Sequence, residues 1–483
     1  MLLIKKIRFV LVYTPVKIEG VYEDIIKGVA VPPQGICQLA GVIRDFGEEV
    51  YLIDALVENL SEDDTFNKII SLNPDFVGFS ATTMQILHAY RCARLIKEHD
   101  QNINVWIGGA HISACPEETM DRFKEFDLGV LNEGEMTVKE LLRHYKDGAS
   151  SRDNINGIIY RNNGKLVKTN PRAFINDLDS LPLPAWDLLP DLRYNYRQSV
   201  ARIDRLPAAS LTTSRGCPCK CIFCARNVYG RSYRGHSAEY VLRMIDFLVE
   251  RYGVRSVSFE DENFTVNKQR IIDICEALIC KKYDLKWSCA ARVDMIQEEN
   301  LKLMKKAGCT SISFGIESGS QQVLDLLGKN LKLEVINRGI AMTEKMGIRA
   351  RGYFIIGHPT ETLETIEETN DLIKKLPFSE VQVSFMTPFP GTELYDTASK
   401  YGTFNNEWTK LNIWTPNFIP HGLAKDVLMV RQKQIMREFY FKPRTIMKFL
   451  LRMMNLRYFS KYFRDGMIIF WFLLKNRGKE NEV

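Results

Sequence analysis

Residues 215–224 read Arg-Gly-Cys-Pro-Cys-Lys-Cys-Ile-Phe-Cys. Within this stretch Cys217, Cys221 and Cys224 follow the order Cys-x-x-x-Cys-x-x-Cys. Three thiolates on one short loop can bind a single four-iron cluster and leave its fourth iron without a protein ligand. The open iron would be the position at which a small molecule binds and reacts.

A structural zinc site is the alternative interpretation of the same loop. Cys219 brings the number of cysteines between residues 217 and 224 to four, and zinc favours four-coordinate thiolate sets. Structural zinc usually draws on two separated pairs of cysteines, however, and no second pair of that kind follows. The spacing therefore favours the iron–sulfur cluster, with Cys219 outside the ligand set.

Length and composition limit the class of protein. A chain of 483 residues predicts two or three globular domains, and eleven cysteines without an even, closely spaced framework argue against disulfides. Residues 1–8 run straight into a strand-like segment without the pattern of a signal peptide, which favours a cytoplasmic protein.

The first 145 residues alternate short apolar strands with helical segments. Strands are predicted at Phe9–Tyr13, Val50–Ile53, Phe76–Ser80, Val105–Ile107 and Leu128–Val130. This alternation predicts an α/β fold with a doubly wound parallel sheet, whose ligand lies beyond the carboxyl ends of the strands. Small residues follow most of these strands and no Gly-x-Gly-x-x-Gly is present, which favours a large planar ligand over a dinucleotide.

The second half of the chain repeats the alternation. A hairpin joined through Asn163-Gly164 and a proline-containing linker, within residues 146–206, precede six predicted strands within residues 207–400. Six strand–helix units predict a partial barrel of the triosephosphate-isomerase type, with its functional residues at the carboxyl ends of the strands. The cysteine loop directly follows the first of these strands.

The cysteine loop, with its neighbours Arg215-Gly216 and Ile222-Phe223, resembles that of the radical S-adenosylmethionine family. The resemblance implies a [4Fe–4S] cluster whose open iron binds S-adenosylmethionine and cleaves it to methionine and a 5′-deoxyadenosyl radical. Residues implied to contact S-adenosylmethionine or the cluster follow successive strands: Phe223, Asp261, Glu262, Arg292, Glu317 and Ser318. For the acidic run at residues 260–262, a solvated helix N-terminus is the alternative.

A second resemblance covers the first domain. Gly108-Gly109-Ala110-His111 and Glu133-Gly134-Glu135 are similar to the cobalamin-binding domain of the cobalamin-dependent branch of that family. The implied cobalamin contacts are Thr14, Pro15, Ser80, Thr82, Gly108, Gly109, His111, Glu133 and Gly134. The Asp-x-His-x-x-Gly motif that supplies a histidine ligand to cobalt is absent, so a histidine-ligated cobalt is not expected. For His111, a backbone-capping or phosphate-contacting role is expected instead.

The resemblance implies an enzyme, with methylation of an unactivated carbon as the main hypothesis. The alternatives are radical oxidation or ring closure without methyl transfer, a methylthiotransferase, and a cobalamin- or zinc-binding sensor without activity. A methylthiotransferase module needs three further converging cysteines, whereas Cys37, Cys92 and Cys115 are scattered. The implied partners are a small-molecule substrate and an electron donor such as flavodoxin or ferredoxin.

The C-terminal region, residues 401–483, is basic. From Arg431 onward thirteen Lys/Arg oppose four Asp/Glu, a local charge of +9, so the formal net charge of +6 leaves 6 − 9 = −3 for the rest. Basic and apolar residues alternate as in two short amphipathic helices, which would lie at a membrane surface or close the open side of the barrel. The apolar character favours a hydrophobic or lipid-like substrate, and no nucleic-acid-binding module is recognised.

Overall fold

The computed structural model describes residues 6–15, 30–148, 151–196, 203–453 and 466–467. Its first sheet has seven strands in the order β2-β1-β3-β4-β5-β6-β7, of which the first five in this order are parallel. The strands are β1 Arg8–Tyr13, β2 Glu49–Asp54, β3 Phe76–Ser80, β4 Asn104–Gly108, β5 Leu128–Val130, β6 Ile158–Asn162 and β7 Lys165–Lys168.

Helices cover both faces of this sheet, so the predicted doubly wound architecture is confirmed. Successive side chains of a strand point to opposite faces. Phe9 and Leu11 accordingly join one core, whereas Val10 and Val12 join the other. The helices of this part are Gln34–Asp45, Glu62–Ser71, Ile86–His99, Ala110–Ala114, Pro116–Arg122 and Glu135–Lys146.

The hairpin that the sequence places in the linker extends the first sheet. Its strand β6 pairs antiparallel with β5, Leu128 opposite Tyr160, and β7 forms the edge. The proline-containing segment then lies against the second domain, where the Tyr240 hydroxyl donates to the carbonyls of Leu181, at 3.0 Å, and Pro182, at 2.8 Å.

The second sheet is the predicted six-stranded parallel barrel wall, in the order β15-β14-β13-β12-β11-β8. Its strands are β8 Ala208–Leu211, β11 Ser256–Phe259, β12 Lys286–Ala291, β13 Cys309–Glu317, β14 Arg349–Ile356 and β15 Glu380–Phe385. A two-stranded antiparallel ribbon, β9 Ser214–Arg215 with β10 Arg234–Gly235, follows the first strand and flanks the cysteine loop. Among the described strands, β8 and β15 are the two edges of an open barrel.

Helices alternate with these strands, and four of them lie within one residue of the bounds that apolar spacing predicts: Ala238–Tyr252, Gln269–Lys281, Glu298–Ala307 and Thr362–Lys375. Ala238–Tyr252 begins after Ser237, whose side chain accepts from the Tyr240 N–H, and ends at Gly253 with φ +62°. The other helices of the barrel are Lys268–Lys281, Glu298–Lys306, Gln321–Leu326, Leu333–Lys345 and Leu363–Lys375.

The C-terminal region contacts both domains. Between β16, Gly402–Phe404, and β17, Phe418–Pro420, Trp408 and Leu411 enter the apolar core of the first domain. The helix Lys425–Tyr440 lies on the edge strand β15, where the Gln432 amide donates to the Val383 carbonyl at 2.7 Å. This helix precedes the two basic helices that the sequence predicts, and it covers an edge of the open barrel.

The basic helix Pro443–Met453 follows, and its Ile446, Met447, Leu450 and Leu451 are exposed. The second basic helix, expected near residues 457–464, lies outside the described residues. In the part of the chain that the structure describes, every helix is too short or too polar to cross a membrane.

Candidate active site

The cysteine loop is anchored at its start by Asp261. This carboxylate accepts hydrogen bonds from the Thr213 hydroxyl at 2.7 Å and from the Ser214 N–H at 3.0 Å. The Arg270 guanidinium lies 3.9 Å from Asp261 and donates to the Thr213 carbonyl at 2.8 Å. Asp261, expected to contact S-adenosylmethionine, is therefore occupied in this structure by the backbone that leads into the loop.

The rest of the loop is held by backbone contacts. Gly216 has φ +82°, and a Cβ atom there would lie 2.2 Å from the Ser232 carbonyl oxygen, so only glycine is accommodated. Ile222 donates its N–H to the Leu327 carbonyl at 3.1 Å and accepts from the Leu394 N–H at 3.0 Å. Phe223, beside it, packs against the apolar cluster that contains Leu327.

The three motif cysteines share this loop but differ in exposure. Cys221 is buried, Cys217 is half-buried and Cys224 is exposed. A hydrogen bond from Cys219 lowers the pKa of Cys217 to about 6, although burial opposes the shift, and Arg292 and Arg226 lower it further. Arg226 also donates to the carbonyl oxygens of Cys219 and Cys221.

The loop has the ligands for an iron–sulfur cluster. No three His, Cys, Asp or Glu side chains of the described residues converge as they would around a single metal ion. A four-iron cluster binds each thiolate at a separate iron, so its ligands stand further apart than those of one ion. Three cysteine thiols on a loop anchored at its start and at Ile222, with arginines alongside, meet the requirement of an anionic thiolate-bound cluster.

Further predicted residues surround the loop at the carboxyl ends of the barrel strands. Glu262 directly follows Asp261 and is exposed. Arg292 is held by Asp294 through contacts of 3.0 and 2.9 Å, and it donates to the Lys329 carbonyl at 2.8 Å. The guanidinium thus lies beside the loop in a fixed orientation.

Glu317 and Ser318 lie at the end of β13 and are buried. Glu317 adopts φ +72°, and its carboxylate accepts from the Lys329 ammonium at 2.6 Å. The Ser318 hydroxyl lies 3.2 Å from that of Thr369. An adenosine at this strand end would therefore meet a carboxylate that already has a cationic partner.

The turn after β14 contains a buried carboxyl group, Glu361. One oxygen accepts from the backbone N–H groups of Gly357 and His358, the latter at 3.1 Å. Burial raises the pKa of Glu361 to about 8, although these two N–H groups lower it. Burial likewise lowers the pKa of His358 to about 4, so this histidine is neutral and packed in the core.

A cavity of about 240 Å³ opens at the carboxyl edge of the first sheet. Among the residues that line it are five glycines, Gly35, Gly78, Gly108, Gly109 and Gly134. A Cβ atom on Gly35 would have no atom within 4 Å, and one on Gly108 would have none nearer than 3.9 Å, so a side chain at either position would have room to extend into the cavity. Val228 and Tyr229, which follow the cysteine loop, line the same cavity.

The predicted cobalamin contacts divide into two groups around this cavity. Its lining includes Ser80, Gly108, Gly109, Glu133 and Gly134, and it does not include Thr14, Pro15, Thr82 or His111.

Three members of the second group have other partners. Thr14 accepts through its carbonyl from Gln85 at 2.6 Å, and Thr82 donates to the Gln85 side chain at 2.9 Å. His111 is fully buried 4.3 Å from the Trp408 ring, and burial with the nearby Arg122 lowers its pKa to about 3. A neutral, enclosed His111 therefore belongs to the contact between the first domain and the C-terminal region.

Sequence analysis missed four residues that shape the site. Arg226, Lys329 and Arg234 belong to no motif that the sequence reveals, and Arg215 is recognisable only as a neighbour of the cysteine motif. Arg215 and Arg234 both reach Glu133 across the domain interface. The only signal in the sequence was the position of Arg215 directly before Gly216 and Cys217.

Comparison with known proteins identifies the family of the chain. Residues 28–142 match the family model of the B12 binding domain, and residues 211–373 match that of the radical SAM superfamily. An uncharacterized methyltransferase of Pyrococcus horikoshii is 35% identical over 436 residues, which cover 88% of this chain and 92% of that protein. The chain belongs to the cobalamin-dependent radical S-adenosylmethionine enzymes.

Two further similarities lie within this family. The anaerobic magnesium-protoporphyrin IX monomethyl ester cyclase of Rubrivivax gelatinosus is 31% identical, over 85% of this chain and 74% of that protein. The structure of the cobalamin-dependent S-adenosylmethionine radical enzyme OxsB, with aqua-cobalamin and S-adenosylmethionine bound, has a TM-score of 0.71 at 21% identity. That match covers 95% of this chain and 72% of the other and supports the fold.

Family membership establishes the cofactors: a [4Fe–4S] cluster, S-adenosylmethionine and cobalamin. The protein is a radical S-adenosylmethionine enzyme, and its family acts on small molecules. The glycine-lined cavity lies where the sequence predicts cobalamin, and the cysteine loop carries the three thiols predicted to bind the cluster.

Proposed function

We propose that the protein methylates an unactivated carbon of a small molecule. The proposal rests on one observation: the segment that follows the cysteine loop forms part of the wall of the cavity in the first domain. Val228 and Tyr229, a few residues after Cys224, form one wall of the cavity whose other walls are Gly108 and Gly134. Cobalamin bound in this cavity would lie beside the segment that follows the three cysteines, and it would supply a methyl group close to the cluster.

The bound cofactors supply a radical that removes hydrogen from carbon and a methyl group that replaces it. Overall, two molecules of S-adenosylmethionine and two electrons convert the substrate into its methylated product, with release of methionine, 5′-deoxyadenosine and S-adenosylhomocysteine. The electrons come from a donor protein of the flavodoxin or ferredoxin type. The chain's own task is to bind, orient and shield these groups.

Particular residues are proposed for these tasks. Cys217, Cys221 and Cys224 hold the cluster, with Phe223 packed behind it. Arg292, oriented by Asp294, is suited to the methionyl carboxylate through its planar guanidinium.

Glu262 is suited to bind the amino group of S-adenosylmethionine. Asp261 was also predicted to contact this cofactor, but Asp261 would first have to give up its hydrogen bonds to Thr213 and Ser214. Glu317 and Ser318 remain predicted adenosine contacts. Ser80, Gly108, Gly109 and Gly134 are proposed to contact cobalamin.

Oxidative ring closure is the second candidate, because the cyclase of Rubrivivax gelatinosus is 31% identical to this chain. The two reactions differ in product mass. Methylation adds one methylene unit, whereas ring closure or oxidation removes hydrogen without adding carbon.

The experiment uses anaerobically purified, reconstituted protein with S-adenosylmethionine labelled in its methyl group, a chemical reductant and a small-molecule extract. We expect 5′-deoxyadenosine, S-adenosylhomocysteine and a labelled product in equal amounts. An unlabelled product that has lost hydrogen would establish the second candidate. Failure of the wild-type protein to form 5′-deoxyadenosine, although it binds iron and corrinoid, would overturn both.

We propose further that the tail contacts an anionic membrane, which would suit a hydrophobic or lipid-like substrate. Lys448 turns inward to Glu344 at 3.2 Å, while Ile446, Met447, Leu450 and Leu451 face outward. An outward apolar face in a segment of local charge +9 matches a bilayer with acidic headgroups. Co-sedimentation with phosphatidylserine vesicles should fall when Leu450 and Leu451 are both changed to Ser, and unchanged sedimentation would refute this contact.

A further inference from the structure

Four charged side chains form a buried network between the two domains, which we call the interdomain clamp. Glu133 and Glu135 stand where the first sheet ends and the helix Glu135–Lys146 begins, whereas Arg215 and Arg234 face each other across the β9–β10 ribbon. Arg215 reaches Glu133 at 2.9 Å and Glu135 at 2.6 Å, and Arg234 reaches Glu133 at 2.8 Å. The clamp joins the edge of the cobalamin domain to the cysteine loop.

The clamp is enclosed and balanced in charge. Its four side chains are between 3% and 8% exposed, and two guanidinium groups oppose two carboxylates. Arg215 and Arg234 would repel each other across the ribbon, but Glu133 accepts from both. Charges withdrawn from water in this way tolerate little displacement, because an unpaired buried charge is costly.

Other contacts fix the orientation of the two arginines. Arg234 also donates to the Ile175 and Tyr229 carbonyls, each at 2.8 Å, and lies 4.8 Å from the centre of the Phe174 ring. Arg215 lies 5.2 Å from the centre of the Tyr229 ring. Planar guanidinium groups with several partners fix angle as well as distance.

The clamp touches both cofactor regions. Glu133, Glu135 and Tyr229 line the cavity of the first domain, and Arg215 is two residues from Cys217. Gly216 between them is enclosed by the Ser232 and Tyr229 carbonyls, so the ribbon cannot shift without moving the loop. A displacement of the cavity wall in the first domain would therefore also move the cysteine loop, and a displacement of the loop would move the wall.

We propose that Glu133, Glu135, Arg215 and Arg234 are positioning residues that set the distance and angle between cobalamin and the iron–sulfur cluster. The proposal rests on the proposed function and adds a role to it. The clamp does not touch the reacting atoms, but it keeps the distance and the angle between the two cofactors constant. A misplacement of the order of an ångström can cost about a hundredfold in rate. Weakening the clamp should therefore leave both cofactors bound while their mutual geometry changes.

The test compares Glu135→Gln with Glu140→Gln. Both glutamates lie on the helix Glu135–Lys146, but Glu140 pairs with Arg172, away from the cysteine loop. Arg215→Lys provides a second clamp variant that keeps the charge and loses the planar fork, in case Glu135→Gln does not accumulate as folded protein.

The first readout needs no cofactor. In the cofactor-free protein, amide hydrogen exchange of residues 131–135 and 213–217 should become about tenfold faster in either clamp variant, because local opening no longer breaks the full network. Glu140→Gln should leave these two segments unchanged. Equal exchange in Glu135→Gln, Glu140→Gln and wild type would refute the proposal.

The second readout uses protein loaded with iron, sulfide and hydroxocobalamin and reduced with dithionite. Cob(II)alamin and the reduced cluster are both paramagnetic, so their magnetic interaction reports the distance and angle between them. We expect the clamp variants to keep wild-type iron and corrinoid contents and to show altered or lost interaction in electron paramagnetic resonance, unlike Glu140→Gln.

The remaining outcomes are also decisive. Loss of iron or corrinoid from both clamp variants would show a role in folding or binding and would overturn the positioning role. An unchanged magnetic interaction would overturn it as well. If wild-type protein binds no corrinoid, the proposed function fails, and this result is distinct from a failure of the clamp in protein that binds both cofactors.

Discussion

At the scale of single residues, Cys221 and Cys219 have different predicted roles in the loop at 217–224: Cys221 binds the cluster and Cys219 does not. Cys221 is buried beside the anchored Ile222, whereas Cys219 is half-buried and lies outside the motif spacing. Cys221→Ala should abolish the visible absorption of the cluster and the release of 5′-deoxyadenosine, because a cluster with two thiolates is not retained. Cys219→Ala is the control and should keep both. Equal iron loss in the two variants would instead favour a four-cysteine zinc-like site.

A second residue-scale prediction concerns Glu361 and pH. Because burial raises its pKa from the ordinary 4.5 to about 8, the folded protein keeps a proton that the unfolded chain releases. The stabilisation is complete below about pH 4.5 and is lost as the pH rises through about 8, at ~1.4 kcal/mol per pKa unit. Glu361→Gln cannot ionise, so its thermal stability should improve relative to wild type over this range.

The matched control for this titration is Glu364→Gln. Glu364 lies at the start of the helix that follows the same turn, is exposed, and has a pKa lowered by the Thr362 hydroxyl. The stability of Glu364→Gln relative to wild type should therefore not increase as the pH rises. A pH-independent difference for Glu361→Gln would show that the carboxyl group remains ionised in the fold.

At the scale of elements, the end of β4 borders the cavity that we propose for cobalamin. A Cβ atom on Gly108 would have no neighbour nearer than 3.9 Å, so a larger side chain there occupies the cavity without disturbing the sheet. Gly108→Leu should weaken hydroxocobalamin binding about tenfold or more, as expected for overpacking of ~1–3 kcal/mol.

The melting temperature of the cofactor-free Gly108→Leu protein should stay close to that of wild type. Gly108→Ala serves as the graded control and should have a smaller effect, measured by equilibrium dialysis. Unchanged corrinoid affinity in the leucine variant would place the ligand elsewhere.

Elements were also the level at which the sequence was most informative. The helix Ala238–Tyr252 was predicted at its observed bounds from the spacing of its apolar residues, and the structure shows Ser237 and Gly253 at its two ends. The pairing of β6 with β5 was not predicted, since the choice of partner for an edge strand is a tertiary property. Local sequence patterns predict where a helix or strand begins and ends, but they do not predict which strand will pair with it in the sheet.

The same limit applies to the site. The cysteine spacing and the strand-end residues could be recognised because they are close in the sequence or follow an element. The partners of Glu133 could not, because Arg215 and Arg234 are 82 and 101 residues away. His111 was likewise assigned from its glycine-rich turn, while its enclosure by Trp408 depends on a segment almost three hundred residues later.

At the scale of the whole molecule, Trp408 ties the C-terminal region to the first domain. It is 3% exposed, lies within the core of that domain, and its ring is 4.9 Å from the Arg122 guanidinium. Trp408→Ala should lower the stability of the protein by ~3–5 kcal/mol, the usual loss for a large buried side chain. Calorimetry should show the effect on the transition that includes the first domain.

Trp414→Ala is the matched control for this prediction. Trp414 lies on the same segment and is only partly buried, so its removal should cost less. Equal destabilisation by the two changes would mean that the segment acts as a unit and that Trp408 does not link it to the first domain.

The two hydrogen bonds of Ile222 bear on how the enzyme matures. They join the middle of the cysteine loop to Leu327 and Leu394, so the loop acquires its final shape only when a chain of nearly four hundred residues has been made. We expect iron insertion to follow synthesis of the barrel rather than accompany it. Nascent chains released before that point would carry the three thiols without a metal, and full-length chains in a cell short of iron would do the same.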